Sequence, residues 1–332
     1  MNYCFARLKS LNFKILLLVT FLIHFNICKS QTPTSFPNRP ITFIAPYTSG
    51  TTSDVLARQI SIRISEKFGV SVLVDNKPGA SGVIGSDYVS KSLPNGYTLL
   101  FTATSHTTIP AIKSKLPYDP IKSFTPVILF ATSAMGFVVS PNISATNFKE
   151  FLDYSKSRPN DLDYSTPGEG SSQHLTMELI LQEIGFKMIH VPYKGSSGAV
   201  TDVIGGHVQS SIVSLQTSSN FIKSGQLKML AIMSDERSPI FPNVPTFKEM
   251  GYQNLVVDTW YGVLAPSNTP AEVVNKINSE INLILNTGEM KETMNKLALN
   301  VAGGKPDRLK ILLEKEIPKW KKVVSTSKLS ID

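Results

Sequence analysis

Apolar positions along this chain alternate between two periods. A short apolar run at 41–45 is followed by Leu56, Ile60, Ile64 and Phe68, spaced every fourth residue. That spacing predicts a helix over 54–68, stopped by Gly69. A second run at 70–74, a helical stretch over 82–92, the turn Pro94-Asn-Gly96 and a third run at 97–102 complete the pattern. Two helical crossovers between three short strands predict parallel strands joined right-handedly. Ligands on such sheets bind beyond the carboxyl ends of the strands.

A second unit of the same kind follows Pro126. Strands are predicted at 127–130, 137–140, 162–165, 188–191, 208–213 and 228–232, and helices at 147–157, 172–184 and 199–204. Gly185 and the pair Gly205-Gly206 end two of these helices. From Asn254 the pattern returns to the first unit, with a strand at 261–265 and helices after Pro270, around Glu289 and around Pro306. The expected architecture is α/β with two lobes. Lobe 1 is discontinuous, 31–132 plus 256–332, and lobe 2 is 133–255. Crossings near 131–136 and 253–260 form a hinge around a cleft. No internal repeat, low-complexity tract or later membrane span is visible.

The N-terminus changes what composition means. Arg7, Lys9 and Lys14 precede an apolar run at 15–27, too short to span a bilayer comfortably, and Ser30 offers a small residue for cleavage. Residues 1–30 read as a secretory signal peptide, which puts the chain in the periplasm. An uncleaved anchor is the plainer alternative, and Ile27 argues against a lipid anchor on Cys28. Without this segment the formal charge falls from +8 to +4. Basic residues elsewhere are scattered without interleaved aromatics, so no nucleic-acid surface is expected. Cys4 and Cys28 lie in or beside the signal, which leaves no cysteine for a disulfide, a nucleophile or a metal.

Two loops carry the chemistry: Tyr47-Thr-Ser-Gly-Thr-Thr-Ser-Asp54 and Thr166-Pro-Gly-Glu-Gly-Ser-Ser-Gln-His174. Each follows a strand and opens onto a helix, offering free amides and hydroxyls at a positive helix end. The residues expected to bind ligand are Tyr47, Ser49, Gly50, Thr51, Thr52 and Ser53 from the first loop, and Thr104 and Ser105 from the strand end at 102–106. The second loop adds Thr166, Gly168, Gly170, Ser171, Ser172 and His174. Thr51-x-x-Asp54 resembles a capping box that leaves the other amides for a guest. Neither loop contains an arginine, so a small carboxylate would be held by amides and hydroxyls and released easily. A β-branched side chain at Gly170 is expected to block the backbone's approach to ligand and leave the fold intact.

These residues also carry a resemblance. Pro46-Tyr-Thr-Ser-Gly-Thr-Thr-Ser-Asp54 with Leu56-Ala-Arg58, then Val74-Asp-Asn-Lys-Pro-Gly-Ala-Ser-Gly-Val-Ile-Gly85 and Pro94-Asn-Gly-Tyr-Thr-Leu99, resemble the extracytoplasmic receptors of tripartite tricarboxylate transporters, the Bug family. Leu116-Pro-Tyr-Asp-Pro120, Val191-Pro-Tyr-Lys-Gly195 and Pro242-Asn-Val-Pro-Thr246 follow in the family's order. The resemblance runs from Pro37 to the C-terminal helix. It implies a type II periplasmic-binding-protein-like fold, a small carboxylate between the lobes, membrane permease subunits as partners and a monomeric receptor. Where the family has Pro-Gly-Gly in the first loop, this chain has Ser49-Gly50-Thr51, which bears on ligand identity more than on binding mode.

Other features read as structural. Gly79, Gly82 and Gly85 are not spaced as a dinucleotide fingerprint, and the histidines are too dispersed for a metal site, so no cofactor or metal is expected. His174 is weighed evenly between facing ligand and bonding locally, and Tyr193 and Trp260 between cleft and interdomain packing. A hydrolase would need a nucleophile elbow or a triad, and Ser105-His106 alone makes neither; no catalytic residue is assigned. The runner-up function is a ligand-sensing input protein for a membrane signalling partner.

Overall fold

Residues 36–158, 161–327 and 329 are described by a computed structural model, and the export segment expected at 1–30 lies outside the described residues. Every element named here belongs to the compact unit Arg39–Asp332. The chain opens with β1 (Ile41–Ala45), α1 (Thr52–Phe68), β2 (Val72–Asn76), α2 (Val83–Ser90) and β3 (Thr98–Ala103). β1 pairs in parallel with β2 on one side and with β3 on the other, as the two crossovers require. Leu56, Ile60 and Ile64 are buried and Gly69 ends α1 in the left-handed conformation, so the i+4 pattern does mark the packed face.

The two strands expected at 127–130 and 137–140 are one strand, β4 (Phe124–Val139). Its first part runs antiparallel to β9 (Asp258–Pro266), from Phe124 opposite Pro266 to Ala134 opposite Asp258. Its last five residues pair with β7 (Ser210–Ser214), and four of them also pair with β8 (Lys228–Ile232). Thr132, Ser133 and Gly136 interrupt the apolar run and read as a loop, yet this is where β4 passes from one sheet to the next without leaving strand conformation. One sheet is ordered β2-β1-β3-β9-β4, with the short β10 (Asn300–Val301) added to β4. The other continues through β7 to β5 (Asp163–Thr166) and β6 (Ile189–Pro192).

Helices cover both sheets. On the second sheet lie α4 (Phe148–Lys156), α5 (Ser172–Ile184), α6 (Ser196–Gly205) and α7 (Leu215–Lys223); after β9 come α8 (Ala271–Leu285), α9 (Gly288–Lys296) and α10 (Pro306–Ser327). Two helices are absent from the sequence reading: α3 (Ser105–Ile112) and α7. The first carries β-branched Thr107 and Thr108 and an internal Pro110, and the second runs through Ser218, Ser219 and Asn220. All of these are poor helix formers, overridden by tertiary packing that buries Thr107 and Thr108 completely.

The second sheet's core centres on Phe137, whose ring meets those of Phe148, Phe151 and Phe247 edge-on at 5.1–6.5 Å. α10 contributes to two cores. Leu309 and Leu313 pack with Ile44, Leu100 and Trp260, whereas Trp320 and Val323 pack with Phe137 and Leu175.

Candidate functional site

A cavity of about 430 Å³ lies where the carboxyl ends of strands from both sheets face one another. From the first sheet it is lined by Tyr47, Gly50, Thr51, Thr52 and Ser53, by Ala103, Thr104 and Ser105, and by Thr259 and Tyr261 on β9. The second sheet supplies Ser172, Gln173, Ser196, Ser214 and Gln216. No lining residue carries a charge, and none is a large aliphatic.

Five helices begin at this cavity: α1, α3, α5, α6 and α7. Side-chain capping is present only in α5, where Ser171 Oγ accepts the His174 amide at 3.2 Å. The other four have no side-chain cap. At α1 the expected capping box is only half built. The Thr51 hydroxyl donates to the Thr48 carbonyl at 2.9 Å, while Asp54 Oδ2 accepts the Gly50 amide at 2.9 Å. First-turn amides of four helices are therefore left for another acceptor, and the partial positive charges of five helix ends sum at one place.

Asp54 in the first turn of α1 stays ionised, and its charge is balanced by Arg58 at 3.0 Å rather than left facing the cavity. Burial disfavours its ionisation, but hydrogen bonds from Arg58, the Gly50 amide and Asn76 outweigh it and hold the carboxyl at about 2. The ion pair in turn engages Arg58. Tyr47 is pinned beneath the loop. Its hydroxyl is bonded to Thr102 Oγ1 at 3.2 Å and to Ser105, it accepts the Ala103 amide, and burial raises its pKa. Across the cavity, Thr52 Oγ1 donates to Gln216 Oε1 at 3.0 Å, a direct bond between the α1 and α7 ends. Tyr261 is bonded to Thr52, and burial pushes its hydroxyl up to about 12.

The sequence-predicted residues divide into two sets. Tyr47, Gly50, Thr51, Thr52, Ser53, Thr104, Ser105 and Ser172 line the cavity; Ser49, Thr166, Gly168, Gly170, Ser171 and His174 do not. The second set builds the loops. Ser49 Oγ donates to Asp54, and Thr166 Oγ1 is bonded to His190 Nε2 at 2.7 Å and accepts the Gly168 amide. Gly170 holds a left-handed φ of +68°, and a Cβ there would come within 2.3 Å of Ile112 Cδ1. A β-branched residue at this position therefore strains the loop and its packing on α3 before it reaches any ligand. Gln173, Ser196, Ser214, Gln216, Thr259 and Tyr261 were missed. Ser196, Ser214 and Gln216 sit at strand-to-helix junctions, a signal open to sequence reading; Thr259 and Tyr261 are placed only by β4–β9 register.

His174 serves the loop locally. It is buried, its Nδ1 accepts the Gly170 amide at 3.0 Å, and its ring stacks on His190 with centroids 3.8 Å apart. Burial, reinforced by the neighbouring His190, lowers its pKa to about 4 from 6.5. An unfolded chain would bind this proton more readily, so the contribution of His174 to stability is complete above pH 6.5 and is lost as pH drops towards 4. At 1.36 kcal/mol per unit the loss is about 3 kcal/mol. Urea melts at pH 7, 5.5 and 4 should show it, with His174→Gln reducing the slope but not removing it, because burial shifts His106 down to about 4 as well. Trp260 and Tyr193 lie off the cavity: the Trp260 indole donates to Glu316 Oε2 and the Tyr193 hydroxyl bonds Asp202.

The chain is similar in sequence and fold to several known proteins. The chain is 34% identical over 303 residues to the UPF0065 protein in the tcbD-tcbE intergenic region of Pseudomonas sp. strain P51, covering 91% of this chain and 90% of that one. It is 32% identical to protein BugT of Bordetella pertussis, covering 87% and 90%. Among solved structures, R. palustris Rpa4515 with adipate matches with a TM-score of 0.78 at 32% identity, covering 89% of this chain and 99% of that one. MatC from Rhodopseudomonas palustris with bound malate matches with 0.75 at 27%, covering 87% and 100%. The fold is thus the two-lobed α/β fold of periplasmic solute-binding proteins, and among the described residues no helix is long and apolar enough to cross a membrane. A profile described as "Tripartite tricarboxylate transporter family receptor" matches residues 56–329, and the chain belongs to that family of extracytoplasmic receptors.

Proposed function

We propose that the cavity between the two sheets captures a small dicarboxylate, and that the liganded form docks on the membrane permease subunits of a tripartite transporter. The observation that carries this reading is the convergence of five helix N-termini, four without a side-chain cap, on a cavity free of charged side chains. Such a site neutralises an anion with fixed amides and needs no cation, which favours release on docking. The adipate and malate of two neighbours are both dicarboxylates, and this chain covers most of each.

In this reading 31–132 plus 256–332 and 133–255 move as lobes, and β4, β9 and α10 bend between them. Closure is selected by ligand bridging both sets of helix ends. The receptor acts as a monomer after removal of residues 1–30, and it binds without turning its ligand over. The same closed form would also suit a sensor partner, but the family assignment favours the transporter.

Thermal melts over a panel of C4 to C6 dicarboxylates test the reading. A ligand at a hundredfold excess over its Kd adds about 2.7 kcal/mol, raising Tm by several degrees. A flat response across the whole panel would count against it.

A further inference from the structure

Lysines far apart in sequence meet on one face beside α3 and α10. The segments 113–122 and 305–322 hold ten basic and four acidic residues, a net +6, whereas residues 31–332 as a whole carry +4, which leaves −2 for everything else in that range. α3 packs along α10, and a groove beside them is lined by Lys113 and Lys321. A second groove is lined by Lys305 and Lys310, and the turn 120–124, which carries Lys122, forms a wall of both. All five lysines are exposed and none forms an ion pair among the described residues. Lys91, Lys149 and Lys296, by contrast, each have an acidic partner one helical turn away. Asp119, the acid that feels Lys122 and Lys321, spends its Oδ1 on the Ile121 and Lys122 amides of its own turn, and Glu316 is buried.

We infer that this lysine-rich face is a docking surface for an anionic phospholipid membrane, which holds the receptor at the bilayer where a permease lies. Charge complementarity carries the inference: the face is positive on a molecule whose remainder is negative, so it is the side that turns towards a negative plane. The chemistry of lysine favours lipid over a protein partner. Protein interfaces are enriched in arginine and aromatics and depleted in lysine, whereas clustered lysines on flexible stems suit mobile phosphate headgroups. Arg308, the arginine within the two segments, is turned back onto the Ala302 and Gly303 carbonyls. Ile311, exposed next to Lys310, adds an apolar side chain of the kind that enters the headgroup layer. The transporter reading enters only in naming what lies in the membrane.

Vesicle co-sedimentation with the exported protein, free of residues 1–30, tests this. The protein should bind vesicles of equal parts phosphatidylglycerol and phosphatidylcholine about tenfold or more tightly than vesicles of phosphatidylcholine alone. Raising salt from about 10 to about 150 mM, which shortens the screening length from about 30 to about 8 Å, should weaken that binding about tenfold. Lys113→Gln, Lys122→Gln and Lys321→Gln together should weaken it about tenfold or more. Lys67→Gln, Lys156→Gln and Lys223→Gln together remove the same charge from α1, α4 and α7, and should leave it within about twofold. Equal binding to both kinds of vesicle, or equal losses in the two triple variants, would overturn the inference. So would an absence of binding to the phosphatidylglycerol vesicles, the result expected if the face instead meets an acidic loop of the permease. The assay uses no dicarboxylate, so none of these failures bears on the proposed ligand.

Discussion

Ser172→Asp should abolish dicarboxylate binding without harming the fold. Ser172 is the first residue of α5 and lines the cavity, so an aspartate there sits at a positive helix end, where a negative charge gains 0.3–1 kcal/mol. Taken about 5 Å from a bound carboxylate at an effective dielectric of about 20, the same charge would repel it by about 3 kcal/mol, a hundredfold or more in Kd. Ser172→Asn has almost the same shape and no charge, and should stay within about tenfold of wild type. Calorimetry and melting curves on the two variants together separate electrostatics from shape. An aspartate variant that binds as tightly as the asparagine one would mean that the helix ends do not hold the anion.

Glu316→Ala should give the largest loss of stability at a single polar residue. Glu316 lies on α10, buried, and its Oε2 accepts both the Thr107 hydroxyl at 2.6 Å and the Trp260 indole N–H at 2.9 Å. Burial raises its pKa, while the two donors and Lys319 pull the other way. Truncation leaves the buried Trp260 indole N–H unsatisfied, leaves the Thr107 hydroxyl with the Thr104 carbonyl alone, and opens space beside Trp260. About 3 kcal/mol, or a fall in Tm of roughly 6–12 °C, is expected. Glu316→Gln keeps an acceptor at the same reach and should recover most of it. Equal losses in both variants would show that charge, not hydrogen bonding, is what α10 supplies.

How much of this was legible in the sequence depends on whether the signal was local. Leu56, Ile60 and Ile64 announce α1 because one helix face is enough to bury them, and Gly69 and Gly185 mark helix ends because their φ values are positive. The first loop was likewise readable, since Tyr47 to Ser53 combine a strand end, hydroxyls and a helix start in one stretch. α3 and α7 were hidden because Thr107, Pro110 and Ser218 favour other conformations until the rest of the fold packs around them. The continuity of β4 through Ser133 was hidden for a related reason: its partners change midway from β9 to β7, and neither pairing is visible in β4 itself.

The site shows the same limit. His174, weighed evenly between facing ligand and bonding locally, bonds locally: Gly170, four residues back, engages its Nδ1, while the stacking His190 comes from β6 and could not be read from the loop. Thr259 carries no motif, and the junction signal at Gln216 was lost because α7 itself was not read. They face the cavity because β9 pairs with β4 and because α7 begins directly after β7, which are facts of topology.

The most direct test of the account is a crystal structure of the protein with a dicarboxylate that raises its Tm. The account predicts at least one ligand carboxylate between the α1 and α5 ends, with oxygens at hydrogen-bond distance from first-turn amides near Thr52 and Ser172 and no lysine or arginine in contact. A ligand seated instead in the larger cavity beside Asp258 and Arg237, or paired with a basic side chain, would contradict it.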